Sequence, residues 1–107
     1  MLPLYKRYMK DISQKVYDFL IEIPKGKVVS YKTIATRFDI HPRTAASILS
    51  KNTQPDVYPC FRVLHSDGSL SGYNLGVDEK LRRLEADGVP IRDGKVSREY
   101  FWDGTTF

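Results

Sequence analysis

Cys60 is the single cysteine in a chain of 107 residues, and a lone thiol has two chemistries open to it. Ionised, it is a strong nucleophile; buried and protonated, it behaves as a small, inert hydrophobe. Its neighbours bear on the choice, because Pro59 fixes the backbone just before it and Arg62 follows two residues later. An internal disulfide is excluded by the count, and Cys60 with the two histidines, His41 and His65, falls short of a four-ligand zinc site. A metal is therefore not expected, nor a cofactor, and a reducing compartment suits the free thiol. The histidines read as surface or cap residues, with His65 able to act as a base only if the fold carries it near Cys60.

The elements that must hold this thiol are readable from periodicity. Met9, Ile12, Val16, Phe19, Leu20 and Ile23 recur at spacings of three and four, one stripe of a helix that Pro24 ends. Val28 and Val29 make a short extended piece, and Ser30 is a suitable N-cap for a second helix burying Ile34, Ala35 and Phe38. Asp39-Ile40-His41 is a tight connection, and Pro42 suits the first turn of a third helix with Ala45, Ile48 and Leu49 on its inner face. Its outer face carries Arg43, Thr44, Ser47 and Lys51. Two short helices joined by three residues, the second with small and basic residues outward, form a helix-turn-helix pattern, and those four residues are the expected DNA contacts.

Beyond the polar loop Asn52–Asp56, the largely apolar stretch Val57–Leu64 is expected to be buried, with Asp67-Gly68 turning the chain into a returning strand over Ser69-Leu70-Ser71 as a wing. Leu81 and Leu84 support a last helix from Val77, Gly88 takes a left-handed cap, and Asp93-Gly94 marks a final small hairpin between Ile91 and Val96. The expected fold is mainly α with small β-hairpins, a winged-helix, helix-turn-helix type, in one domain over residues 1–107.

Composition is consistent with this. A hydrophobic share of 41% and a charged share of 28% exclude a disordered or collagen-like chain. Seventeen Lys and Arg against thirteen Asp and Glu give +4, which permits a polyanionic partner without demanding one. No apolar run reaches the roughly 18 residues of a membrane span, so no membrane partner is expected.

Pro59-Cys60-Phe61-Arg62-Val63 resembles the Pro-Cys-His-Arg-Val motif of the O6-alkylguanine-DNA alkyltransferases. The flanking spacings extend the likeness: Val29-Ser30-Tyr31 heads the first helix of the pair, Arg43 lies nine residues before Asn52, Asn52 eight before Cys60, and Tyr73 thirteen after it. Gly76, Lys80 and Gly88 fit the family's last helix, and the resemblance runs from about Ile12 to Ile91. It implies binding of double-stranded DNA, extrusion of an O6-alkylguanine and stoichiometric transfer of the alkyl group to Cys60. In that scheme Arg43 fills the gap left by the extruded base, and Tyr31 holds a phosphate and borders the pocket. Tyr73 and Asn74 close over the base, with Asn52 and Phe61 beside the thiol, while Arg62 and Asp87 support the turn.

Two positions depart from the family. Its histidine after the cysteine is Phe61 here, which cannot take a proton, and its supporting glutamate is Asp87, one methylene shorter. The short length and the tail Arg98-Glu99-Tyr100-Phe101-Trp102 look more like the alkyltransferase-like branch, which recognises the lesion without removing the alkyl group and passes it to other repair proteins. That branch usually has tryptophan at the cysteine and keeps the histidine, the reverse of this chain. The resemblance further implies a monomer without the family's usual N-terminal domain, cytoplasmic and nucleoid-associated, or nuclear in a eukaryote.

Overall fold

The computed structural model describes residues 3–70, 72, 73 and 75–104. Helix α1 (Leu4–Glu22) buries Ile12, Val16, Phe19 and Leu20 on the expected stripe. It stops before Pro24 because a residue preceding proline is pushed out of the helical region, and Ile23 is extended with ψ 120°. Met9 departs from expectation. The first turns run past the core, leaving Leu4, Tyr5, Tyr8 and Met9 exposed.

Strand β1 (Val29–Ser30) leads directly into α2 (Tyr31–Phe38), where the Ser30 hydroxyl accepts from the Thr33 amide at 3.0 Å and satisfies an otherwise orphaned donor. Asp39 ends α2 in the left-handed region at φ 53°. Helix α3 (Pro42–Ser50) starts on His41, whose Nδ1 accepts from the Arg43 amide at 3.0 Å, so His41 is a cap. Pro42 then spends its missing N–H where no helical bond exists. The three helices bury Ile34, Ala45, Ile48 and Leu49 against the α1 stripe in one apolar cluster that also takes in Cys60. Each fully buried large side chain of this kind contributes about 1.5–3 kcal/mol.

The segment after α3 differs most from expectation. Val57–Leu64 is not one buried strand: Val57 is exposed, Cys60–Arg62 form a single 3-10 turn, and only Val63–Leu64 is strand β2. The turn arises because Pro59 has no ladder donor and the Tyr58 carbonyl is drawn inward by the Asn52 side chain at 2.9 Å. β2 pairs in parallel with β1, Val29 opposite Val63 and Ser30 opposite Leu64. The Asp67-Gly68 turn is present, but Ser69 bridges to Lys95 instead of extending a hairpin with β2; Ser71 lies outside the described residues.

Helix α4 (Val77–Ala86) closes with Gly88 at φ 86°, the left-handed position expected of it. Strands β3 (Ile91–Arg92) and β4 (Lys95–Val96) then form the small hairpin, with Asp93 and Gly94 both at positive φ in the turn. Val28, Phe61, Leu64, Leu84, Val89 and Val96 make a second apolar cluster, and Tyr73 packs against both clusters. The result is a mostly helical structure with two small sheets, built around a helix-turn-helix. No helix among the described residues is long and apolar enough to cross a membrane.

Candidate active site

Cys60 is 6% exposed and sits at the floor of a cleft of about 580 Å³. Tyr31 from the start of α2, Pro42, Arg43, Ala46, Leu49 and Ser50 from α3, and His65, Gly72 and Tyr73 from the loops that follow line the rest of it. The helix-turn-helix therefore supplies most of one side and the turn bearing Cys60 supplies the base.

The sulfur is held in place by local geometry. The Asn52 side-chain amide donates to Cys60 Sγ at 3.2 Å and to the Tyr58 carbonyl at 2.9 Å, while its oxygen accepts from the Gln54 amide at 2.9 Å. The Cys60 amide donates to the same Tyr58 carbonyl at 2.7 Å. One asparagine thus shapes the loop between α3 and the thiol and also addresses the sulfur. It lies behind Cys60 and not on the cleft wall.

Burial pushes the thiol pKa up, and the Asn52 hydrogen bond, then Lys80, the cysteine's own amide and Arg83, act in the opposite direction. Burial prevails, so the resting thiol is protonated near neutral pH. Lys80 is buried on α4 with its Nζ donating to the Val63 carbonyl at 2.9 Å; burial holds its pKa down to about 8, against a raising influence from Cys60. Tyr73 is raised in pKa chiefly by burial, and its hydroxyl has no hydrogen-bond partner among the described residues. A buried phenolic hydroxyl without a partner is uncommon in a folded protein.

Phe61 is not a pocket residue. In a 3-10 turn consecutive side chains point about 120° apart, so with Cys60 facing the cleft Phe61 is carried into the second apolar cluster, 8% exposed, with the Arg62 guanidinium 5.1 Å from its ring. Arg62 Nε donates to Asp87 Oδ2 at 2.7 Å and Nη1 to the Ile23 carbonyl at 3.1 Å, which ties the turn to the end of α4 and to the end of α1. Asp87 is therefore engaged by Arg62. Thr44, Ser47 and Lys51 lie on α3 outside the cleft lining, Ser47 and Lys51 exposed and Thr44 half-buried. Asn74 falls outside the described residues.

Sequence reasoning underrated two residues. His65 lines the cleft with its ring 5.5 Å from that of Tyr31, placed there by the turn after β2. Lys80 is the other: it was matched to the family's last helix without a role, and its remaining signal was a charged residue on the inward side of an amphipathic helix. Among the described residues no group of three His, Cys, Asp or Glu side chains is placed to hold a metal.

Comparison with known proteins decides the family. The model of the 6-O-methylguanine DNA methyltransferase DNA-binding domain matches residues 11–89. The chain belongs to that family. A methylated-DNA–protein-cysteine methyltransferase of Methanothermobacter thermautotrophicus is 42% identical over 81 residues, covering 76% of this chain and 46% of that protein. A bifunctional methyltransferase/endonuclease of Picrophilus torridus is 41% identical over 88 residues, covering 80% of this chain and 30% of that one. Among solved structures, S. pombe Atl1 in complex with damaged DNA containing O6-carboxymethylguanine superposes with a TM-score of 0.75 at 29% identity, over 87% of this chain and 95% of that one. The chain spans less than half the length of the first curated relatives it matches. Family membership fits the geometry above, a helix-turn-helix forming the wall of a cleft with a thiol at its floor.

Proposed function

We propose that this chain binds alkylated duplex DNA through α2 and α3, takes an O6-alkylguanine into the cleft and accepts the alkyl group on Cys60. The observation that carries this reading is the thiol on the cleft floor with Tyr31, Arg43 and Tyr73 around it. Arg43, exposed at the lip of the cleft near the start of α3, is in position to occupy the space an extruded base leaves, its guanidinium able to stack and to bond the orphaned partner. Thr44, Ser47 and Lys51 contact the DNA backbone along the same helix.

In the transfer, the Cys60 sulfur attacks the alkyl carbon, a sulfur–carbon bond forms and the carbon–O6 bond breaks. The electron pair stays on guanine, which takes up a proton, and the thiol proton leaves to solvent. One thiol hydrogen is exchanged for one alkyl group, and the protein is consumed. Intact-mass measurement after incubation with a methylated oligonucleotide tests this: one added methyl on Cys60 supports transfer, and an unmodified chain refutes it.

Phe61 and the raised thiol pKa favour a second reading, a lesion sensor that binds O6-alkylguanine without chemistry and recruits other repair proteins. The match along 95% of Atl1 supports it too. Alkyl-dependent binding by a chain that stays unmodified would establish the sensor, and equal affinity for damaged and undamaged duplex would exclude both readings.

A further inference from the structure

The imidazole that the family carries next to the sulfur is replaced here, since the residue after Cys60 is Phe61 and its ring faces the second apolar cluster; His65 lines the same cleft, with its ring 5.5 Å from that of Tyr31. The groups that act on the thiol come from four places. Asn52 approaches from the end of α3, Tyr17 from α1, Tyr73 from the loop before α4, and Lys80 and Arg83 from α4. The two phenols are raised by burial and stay neutral, so they contribute no charge near neutral pH. Arg83 is bound to two carboxylates, Glu79 at 2.8 Å and Asp56 at 2.9 Å, which offset its field at the sulfur.

Lys80 differs in its placement. It is 1% exposed, and its Nζ donates to the carbonyl of Val63, the residue whose own amide closes the 3-10 turn on the Cys60 carbonyl. The ammonium is thus fixed to the back of the turn that carries the sulfur. An opposite charge held in a low-dielectric interior favours the ionised form of a neighbouring acid far more than the same charge does in water.

We propose that Lys80 is a positioning residue that stabilises the Cys60 thiolate from behind the reactive turn, supplying by its electric field what the absent imidazole would supply by proton transfer. The inference rests on the transfer reading for its purpose. The coupling itself is measurable without DNA.

The pH profile of Cys60 alkylation by iodoacetamide in the full chain reads the thiolate directly, because the chain holds no other thiol. Lys80→Met, of similar length without charge, is expected to slow alkylation about tenfold at pH 7, where Lys80 is charged, and to leave the rate above about pH 10 unaltered, where Lys80 has lost its proton, with an unchanged circular dichroism spectrum. Superimposable profiles overturn the proposal. Because Lys80→Met can fail to fold, a second measurement keeps Lys80: in the parent chain the alkylation rate is expected to rise about tenfold per pH unit below pH 7.5 and clearly less between pH 8 and 9, as Lys80 loses its charge, and an unbroken tenfold rise overturns the proposal equally. A parent chain that accepts no methyl from DNA while the iodoacetamide profile still shifts refutes the transfer reading alone. Methyl transfer with identical profiles refutes the coupling alone.

Discussion

The side-chain amide of Asn52 and the sulfur of Cys60, eight residues apart, are joined by a hydrogen bond of 3.2 Å, and the same nitrogen reaches the Tyr58 carbonyl. One side chain therefore both shapes the turn and hydrogen-bonds the sulfur. Asn52→Ala removes both bonds and orphans the Gln54 amide, and is expected to cost about 1–3 kcal/mol in urea unfolding while slowing thiol alkylation at neutral pH. Loss of stability with an unaltered alkylation profile would limit Asn52 to the loop.

Arg62 and Asp87 form an ion pair of 2.7 Å with side chains 15% and 10% exposed. Removing one partner leaves a charge with little water to replace it. Arg62→Ala is expected to destabilise the fold by about 3 kcal/mol, more than Asp87→Asn, which keeps a hydrogen-bond acceptor. Urea midpoints of the two variants check the order, and equal values would place the contribution elsewhere.

Arg43 is exposed and makes its case only with DNA present. Arg43→Ala is expected to leave thermal stability unchanged and to weaken binding to a methylated duplex at least tenfold. Lys51→Ala, expected to touch only phosphate, should weaken damaged and undamaged duplex alike and reduce the salt dependence. Equal losses for the two variants on both duplexes would remove Arg43 from lesion recognition.

The raised Cys60 pKa fixes the direction of the pH dependence of transfer. Below that pKa the thiolate fraction grows about tenfold per pH unit, so single-turnover methyl transfer is expected to accelerate steadily from pH 6 to 8. A flat profile would mean that a step other than sulfur attack limits the rate.

Folding stability carries its own signature of Lys80. Its pKa is about 8 in the fold against 10.5 ordinarily, so between those values the unfolded chain binds a proton that the folded chain releases. The burial penalty is fully present below about 8 and is relieved as pH rises toward 10.5. Cys60, raised in the fold, works oppositely in the alkaline range. Urea unfolding of Cys60→Ser is therefore expected to show stability rising with pH across this window more steeply than in the parent chain.

Much of the helical frame was legible because its signals are local: the stripe from Ile12 to Ile23, the Ser30 cap, Pro42 in the first turn of α3 and the Asp93-Gly94 turn all act within a few residues. Tyr31, Arg43, Cys60 and Tyr73 line one cleft, an arrangement that only the family resemblance had suggested. What escaped was non-local or depended on direction. The pairing of β1 with β2 has no signal in two-residue strands, and Ser69 found Lys95 because the turn carried it past its neighbour. Phe61 was misplaced because adjacent residues share a motif but not a direction in a 3-10 turn. Met9 fits the helical stripe, but periodicity cannot tell where the core beneath a helix begins.

The parallel pairing of Val29–Ser30 with Val63–Leu64 has a consequence for the order in which the site assembles. The helix pair contacts itself over short sequence distances, whereas this join closes a loop of more than thirty residues at an entropic cost of roughly 3 kcal/mol. The helices can form early, and the turn bearing Cys60 docks late. In unfolding the same join is expected to open ahead of the helices, so hydrogen exchange at Val63 and Leu64 should report the lifetime of the assembled cleft.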